Sequence, residues 1–254
     1  LNGLNVYNKD TDTFSFIRQT SDRGGVTINC NAINCLFTDG ETIWLGTETG
    51  GINLLSPKRL QTELWTCGTS VTETDTPTPV NAVGEDKDGN LWMLNNQTDT
   101  IVRILKNDGK WAALYYSEIK DIPTLDQVLF DNRGWAWINC RRTTNNPVNY
   151  AGVFCVDTKG TLENTADDSR KFITRFSNQD GVAYSPDLFN CIAEDLDGNI
   201  WFGTDKGPFV TYSPEDVFDN GFYFTQVKIP RNDGTNLADY LLSDVNITCI
   251  TIDG

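Results

Sequence analysis

The sequence has 254 residues, with 20 Lys and Arg against 35 Asp and Glu, no histidine and a formal net charge of −15. This acidic balance argues against a nucleic-acid partner, because binding a phosphate backbone depends on clustered cations. The missing histidine removes Ser-His-Asp and Cys-His catalysis and His-ligated metals. No stretch approaches the roughly 20 apolar residues that a membrane-spanning helix needs, so no spanning segment is predicted.

The first 20 residues predict half of a small β-sheet. Residues 3–7 form an apolar strand, a polar turn follows at 8–12, and residues 14–16 form the return strand. The first of these strands corresponds to residues 51–55 later in the chain, where a complete unit is predicted. We therefore expect a partial unit at 1–20.

A hairpin motif then recurs along the chain, and its clearest copy spans residues 191–207. An apolar run ends in acidic residues, Asp197-Gly198 forms a tight turn, and Ile200-Trp201-Phe202 begins the return strand. Asp-Gly predicts a two-residue turn with positive φ at both central positions. The other copies lie at 33–47, 80–94 and 125–138, and the motif's turn glycines and tryptophans are Gly40, Gly89, Gly134, Gly198, Trp44, Trp92, Trp137 and Trp201.

The spacing of the tryptophans identifies the repeat. They are separated by 48, 45 and 64 residues, and a β-rich repeat of about 40–50 residues is typical of propeller blades. The predicted fold is all-β: one β-propeller region over 1–254, with about four antiparallel strands per blade and roughly four full blades plus two partial ones. Each tryptophan is predicted to pack between neighbouring sheets.

The second partial blade is predicted at 244–254, where residues 247–254 begin another copy of the motif. The two ends are therefore predicted to supply different parts of a blade, and the strands that would lie between these parts are missing. Either the ring closes imperfectly or the sequence is a piece of a longer chain, and the missing strands favour a piece.

The seven cysteines do not predict a metal site. Cys35, Cys191 and Cys249 fall at one position of the repeat, where another copy has Ala82, so this position requires a small buried residue. The other cysteines show no Cys-x-x-Cys spacing. The acidic turns lack the register of a calcium loop, and we predict neither a metal nor a cofactor.

The 64-residue separation of Trp137 and Trp201 is the longest of the three, and it predicts an insertion at 140–150. This insertion is the best candidate for a binding loop, because loops carry most binding sites. Arg141 and Arg142 are suited to a carboxylate or to sugar hydroxyls, and Tyr150 is suited to stacking on a ring. The alternative is a solvated surface loop.

The segment 230–240 is a second candidate, since it is too long for a tight turn and carries Arg231 and Asp233. The sequence leaves open whether it is a binding loop or a clasp between blades.

Three of the hairpin copies resemble a known repeat. Glu-Asp-Leu-Asp-Gly-Asn-Ile-Trp-Phe-Gly-Thr at 194–204, Glu-Asp-Lys-Asp-Gly-Asn-Leu-Trp at 85–92 and the copy at 39–47 are similar to the two-component-regulator propeller repeat. Such repeats build the periplasmic sensor propellers of hybrid two-component systems in Bacteroidetes. The copy at 125–138 departs from the pattern, with Ile-Asn-Cys in place of the Gly-Thr ending.

The second half resembles more specifically the PorZ-type propellers of the type IX (Por) secretion system, on residues 160–168, 203–207 and 231–242. This resemblance implies a non-enzymatic extracytoplasmic propeller, in the periplasm or associated with the outer membrane at the cell surface. The implied partners are carbohydrate or lipopolysaccharide, or a secretion or signalling protein.

Two alternatives stay open. One is a periplasmic sensor domain of a hybrid two-component system that binds an oligosaccharide. The other is a carbohydrate-active enzyme, because the Asp-x-Gly-x-x-Trp hairpins resemble the Asp boxes of sialidases.

Overall fold

The computed structural model of the protein describes residues 4–17, 19–21, 27–29, 32–38, 42–48, 51–56, 61–65, 79–95, 100–141 and 151–253. Regular structure in these ranges is almost entirely β-strand, with one short 3-10 helix at Pro214–Phe218. The strands are β1 (Leu4–Asn8), β2 (Thr13–Ile17), β3 (Gln19–Ser21), β4 (Thr27–Asn29), β5 (Ile33–Thr38), β6 (Ile43–Thr47), β7 (Ile52–Ser56), β8 (Gln61–Trp65), β9 (Val80–Glu85), β10 (Leu91–Asn95), β11 (Val102–Leu105), β12 (Trp111–Leu114), β13 (Thr124–Phe130), β14 (Ala136–Arg141), β15 (Gly152–Asp157), β16 (Ser169–Ile173), β17 (Phe176–Ser177), β18 (Ala183–Tyr184), β19 (Phe189–Glu194), β20 (Ile200–Thr204), β21 (Gly207–Thr211), β22 (Lys228–Pro230) and β23 (Ala238–Tyr240).

The strands pair with their neighbours in sequence, as propeller blades require. Three sheets are four-stranded antiparallel meanders, formed by β5–β8, β9–β12 and β13–β16, and β19–β21 form a three-stranded sheet. In that last sheet a single antiparallel bridge from Val210 to Thr225 lies beside β21, where a fourth strand would run. The all-β propeller-type fold predicted from the repeat is therefore confirmed.

The chain divides into two compact units, Leu1–Tyr115 and Tyr116–Gly254. The first contains the hairpin β1–β2, the pair β3–β4 and two four-stranded sheets. Its core lies between those two sheets, because Trp44 of β6 packs in one cluster with Val80 of β9 and Met93 of β10.

The second unit has a core built largely from aromatic rings. The Trp137 and Phe202 rings pack with their centroids 5.7 Å apart, and Phe176 contacts Phe224 at 4.5 Å. These side chains are buried; Trp137, Phe176 and Phe202 come from three different sheets of the unit, and Phe224 comes from the segment that follows the 3-10 helix. As predicted, Trp137 packs between neighbouring sheets. Trp201, in contrast, is only half-buried.

The hairpin turns differ in type from the sequence prediction. Gly198 has φ 82°, whereas Asp197 keeps a negative φ, and the Gly198 amide donates to the carbonyl of Asp195 at 3.0 Å. This is a type I turn followed by a left-handed glycine, which is the three-residue hairpin loop, and not the two-residue turn expected. Gly89 and Gly134 share the left-handed conformation, with φ 78° and 85°. Gly40 lies outside the described residues.

One aspartate organises each of three described turns. Asp195 Oδ1 accepts the amides of Asp197 and Asn199 at 3.0 and 2.9 Å, and its Oδ2 accepts the indole N–H of Trp201 at 2.8 Å. The same three bonds recur in the other two turns, where Asp86 is paired with Trp92 and Asp131 with Trp137. The tryptophan of the motif is thus bonded to the first aspartate of its own turn, and Trp92 and Trp137 are buried as well.

The Gly-Thr ending of the motif also has a structural reason. A Cβ on Gly203 would lie 2.5 Å from the sulfur of Cys191 and 3.0 Å from the carbonyl oxygen of Ile247. Gly46 shows the same crowding against Cys35, at 2.4 Å. The small residue predicted at the cysteine position therefore faces a glycine on the next strand.

Residues 244–253, predicted to supply the opening strand of another blade, form no regular strand. The Ile247 amide nevertheless donates to the carbonyl of Thr204 at 2.9 Å, so this segment lies along β20. Its contact with Gly203 matches the contact of Val80 with Gly46 in the first unit. That 1–254 form a single propeller region stays a prediction.

One loop prediction needs correction. Ten residues separate β14 from β15 and eleven separate β15 from β16, against four between β6 and β7, so the extra length of the third repeat is divided between these two connections and does not lie at 140–150 alone. The segment 230–240 is largely the turn of the hairpin β22–β23. Whether it is a binding loop or a clasp between blades stays a prediction.

Candidate functional site

A short 3-10 turn after β21 builds the candidate site. Pro214 starts the turn, which suits a residue with a fixed φ and no amide hydrogen at a helix start. The amides of Asp216 and Asp219 donate to the carbonyls of Ser213 and Asp216 at 3.1 and 2.9 Å. Val217 is fully buried and anchors the turn. Asp216 within the turn and Asp219 directly after it are both exposed.

The chain then returns alongside β21. Val210 and Thr225 exchange two backbone hydrogen bonds, at 2.9 and 2.7 Å, and Phe224 is fully buried. Because side chains alternate along an extended segment, burial of Phe224 directs Tyr223 outwards. Tyr223 is 52% exposed and Tyr212, one residue after β21, is 54% exposed.

These elements enclose a pocket of about 360 Å³, which we call the tyrosine pocket. Its lining includes Thr211, Tyr212, Ser213, Asp216, Asp219 and Tyr223. A volume of this size lies at the lower end of the range typical for small-molecule sites. The pocket therefore combines two exposed phenol rings with two carboxylates and several hydroxyls.

Lys171 contacts two of the residues that line the pocket. Its ammonium donates to the backbone carbonyl of Asp219 at 2.8 Å and lies 5.4 Å from the centre of the Phe222 ring. Burial lowers the pKa of Lys171, and the nearby Asp219 partly opposes that effect. The lining itself contains two aspartates and no cationic residue, and the Lys171 ammonium lies beside it at Asp219 and Phe222.

Of the loop residues predicted to bind a ligand, Arg141 is described and Arg142 and Tyr150 lie outside the described residues. Arg141 forms an ion pair with Asp126 at 2.9 Å. Asn139 also donates to that carboxylate, at 2.8 Å, and burial is the main cause of the raised pKa of Asp126.

Arg231 and Asp233 lie together in the turn of the β22–β23 hairpin. Arg231 donates to both carboxylate oxygens of Asp239, which lowers the pKa of Asp239. Asp233 accepts the amide of Thr235 at 3.0 Å. None of these residues lines the tyrosine pocket, and a binding role for them and for Arg141 stays a prediction.

The described residues contain no group of three or more His, Cys, Asp or Glu side chains placed to hold a metal ion. The same part of the chain contains no helix with the length and apolar character needed to span a bilayer.

Sequence reasoning missed the tyrosine pocket. One local signal was present, because Ser213-Pro214-Glu215-Asp216 has the Pro and acidic residues typical of a helical start. The return of Tyr223 to the neighbourhood of Tyr212 depends on the bridge beside β21, which the sequence does not reveal.

Comparisons with known proteins support the fold. No family profile and no curated protein matches the chain. Among solved structures, the chain is similar to PorZ, a bacterial surface component of the type IX secretion system of Porphyromonas gingivalis. The TM-score is 0.76 at 21% identity, over 89% of this chain and 31% of that one.

The chain is also similar to the extracellular domain of the putative hybrid two-component system BT4673 from B. thetaiotaomicron. Here the TM-score is 0.62 at 16% identity, over 97% of this chain and 28% of that one. The chain thus spans about a third of the length of each of these two solved structures. The propeller resemblance expected from the sequence is confirmed at the level of the fold.

Proposed function

We propose that this chain is an extracytoplasmic recognition propeller that binds a neutral carbohydrate in the tyrosine pocket without turning it over. The observation that carries the proposal is that Tyr212 and Tyr223, both more than half exposed, line the same pocket as Asp216 and Asp219.

The chemistry of a sugar ring fits such a pocket. Its C–H face is apolar and packs on an aromatic ring, while its hydroxyls donate to carboxylates and exchange hydrogen bonds with Ser and Thr. Hydrogen bonds to an ionised acceptor are about twice as strong as neutral ones. The two aspartates therefore suit a ligand with several hydroxyl donors.

The charge of the lining distinguishes between the carbohydrate partners that the resemblance implied. Asp216 and Asp219 repel a phosphate or carboxylate of a ligand, because like charges at close range cost free energy. A neutral saccharide is therefore favoured over the phosphorylated part of a lipopolysaccharide.

The extracytoplasmic placement rests on the two similar structures, one a bacterial surface component and the other an extracellular domain. The whole protein then acts either at the cell surface as a secretion component or as a periplasmic sensor domain. In both, the role of this chain is binding.

Protein docking is a second candidate, supported by the exposed apolar side chains Ile229, Leu237 and Leu242 on and beside the β22–β23 hairpin. Scattered exposed apolar residues are common on protein surfaces, so they support docking less strongly than the pocket supports sugar binding.

The test is a glycan array that carries neutral saccharides, acidic polysaccharides and lipopolysaccharide, followed by calorimetry on the hits. We expect a neutral hit, and we expect Tyr212→Ala and Tyr223→Ala each to weaken it at least about tenfold. Tyr115→Ala is the matched control, since Tyr115 is similarly exposed but lies outside the pocket.

Three results would count against the proposal. Binding that survives both tyrosine variants but is lost in Arg141→Ala would move the site to the loop predicted from sequence. Selective binding of anionic glycans would contradict the charge argument, and hydrolysis of a sialoside or other glycoside reporter would contradict a role limited to binding.

A further inference from the structure

A second depression lies next to the tyrosine pocket. It is an open groove of about 520 Å³ along the hairpin β17–β18, and we call it the hairpin groove. Its lining includes Arg175 as well as Phe176, Ser177, Ala183, Tyr184, Ser185 and Phe222. Phe222 also lines the tyrosine pocket, so the two depressions meet at a single side chain.

Phe222 is held firmly where they meet. Its ring packs edge-on against Phe224, with the centroids 5.0 Å apart, and the ammonium of Lys171 lies 5.4 Å from its centre. Phe224 is fully buried. The boundary between the two depressions is therefore an aromatic ring, and the Lys171 ammonium lies beside it.

Aromatic contacts continue from Phe222 through Phe224 to two other residues that line the hairpin groove. Phe224 contacts Phe176 at 4.5 Å, and Phe176 stacks with Tyr184 at 6.0 Å and 22° between the ring planes. Ser177 and Ser185 add hydroxyl groups. The hairpin groove thus shares aromatic surface and hydroxyl groups with the tyrosine pocket, and it differs in having Arg175, a hydrogen-bond donor, in place of the two carboxylates.

We propose that the tyrosine pocket and the hairpin groove are two subsites of one site, and that the ligand is an oligosaccharide whose chain crosses Phe222. This inference rests on the proposed function. One sugar unit fills the tyrosine pocket, and the following units lie along the β17–β18 hairpin. The site then recognises a chain and not a single sugar.

The test is the dependence of affinity on chain length. The probes are neutral gluco-, manno-, galacto- and xylo-oligosaccharides of one to six units, with Kd measured by calorimetry. For the series that binds, we expect a trimer or longer chain to bind at least about tenfold more tightly than the monosaccharide.

Two variants that obstruct the hairpin groove test whether the rise in affinity with chain length arises there. Ser185→Trp and Ala183→Trp introduce a bulky side chain at exposed groove positions, away from the tyrosine pocket. Each is expected to remove the gain from chain length and to leave monosaccharide binding unchanged. Ser185→Ala is the control and is expected to behave as the wild type.

The outcomes separate this inference from the proposed function. Equal affinity for monomer and longer chains overturns the two-subsite site while leaving sugar binding in the tyrosine pocket intact. So does a length gain that persists in both tryptophan variants, each with an unchanged melting temperature. If no neutral saccharide of any length binds, the proposed function itself fails.

Discussion

The indole Nε1 of Trp92 lies 3.0 Å from Oδ2 of Asp86, six residues earlier on the other side of the hairpin turn. The second oxygen of the same carboxylate accepts the amides of Asp88 and Asn90 at 3.0 and 2.9 Å. One side chain thus closes the turn and fixes the orientation of the tryptophan, which is only 2% exposed.

The first prediction concerns this carboxylate. Asp86→Ala leaves the nearly buried indole N–H and two turn amides without their acceptor, and we expect a loss of about 1–3 kcal/mol in the free energy of unfolding. Urea denaturation followed by tryptophan fluorescence measures it. Asp88→Ala is the control, because Asp88 is exposed and its bonds to Asp86 and Asn107 are made by its backbone amide and carbonyl, which the substitution keeps. Equal losses in the two variants would contradict the role assigned to Asp86.

The second prediction compares two tryptophans of the same motif. Trp137 is fully buried and packs against Phe202, whereas Trp201 is half-buried. Removing a buried ring leaves a cavity, so Trp137→Ala should cost about 3–5 kcal/mol. Trp201→Ala should cost clearly less. Melting temperatures of the two variants decide this, and a larger drop for Trp201 would show that its environment is more enclosed than the structure indicates.

The third prediction concerns the crowding at Gly203. Gly203→Ala places a methyl group 2.5 Å from the sulfur of Cys191 and 3.0 Å from the carbonyl oxygen of Ile247, and should destabilise the protein by about 1–3 kcal/mol.

Adding Cys191→Ala removes the nearest of the atoms that crowd the Gly203→Ala methyl group, the others being Cγ2 and the carbonyl oxygen of Ile247. The double variant should therefore unfold at a higher urea concentration than Gly203→Ala alone. Gly221→Ala, with nothing within 4 Å of the new Cβ, should be neutral. Strict additivity in the double variant would mean that the cysteine is not the obstacle.

The fourth prediction is a pH dependence. Burial tends to raise the pKa of Asp195, but hydrogen bonds from Trp201 and Asn199 outweigh it, and the pKa lies below the ordinary 3.8. A carboxyl group with a lowered pKa in the folded state contributes stability above its unfolded pKa, and loses it as the pH falls through the folded value.

Comparing Asp195→Asn with the wild type separates the contribution of Asp195 to the free energy of unfolding from the contributions of the other carboxyl groups. The variant should be less stable at pH 7, and the difference should shrink as the pH falls below about 4. Urea titrations at several pH values measure it. A difference that stays constant down to pH 2 would show that the ionised form of Asp195 does not stabilise the fold.

The sequence was most informative where each interaction is local. The hairpins at residues 86–92 and 195–201 were predicted because the turn residues and the tryptophan recur at fixed spacing. The turn type was wrong, because Asp-Gly pairs also occur in a type I turn followed by a left-handed glycine. The aspartate two residues earlier, Asp195, selects that form by accepting the amides of Asp197 and Asn199.

The tyrosine pocket could not be predicted in the same way. Tyr212 and Tyr223 are eleven positions apart and come together only through the 3-10 turn and the bridge between Val210 and Thr225. Sequence reasoning placed the site on Arg141 and Arg231 because they are charged and lie in long loops. The structure pairs both with nearby aspartates, Asp126 and Asp239.

The self-contained aspartate turns have an evolutionary consequence. Because Asp86, Asp131 and Asp195 each satisfy donors of their own hairpin, the bonds that close each of these turns depend on residues of that turn alone. Bonds between hairpins are additional to them, as where the Arg133 guanidinium donates to the carbonyl of Gly198 at 3.3 Å. A turn of this kind can keep its form while residues outside it change, which agrees with a fold shared with PorZ over 89% of this chain at 21% identity.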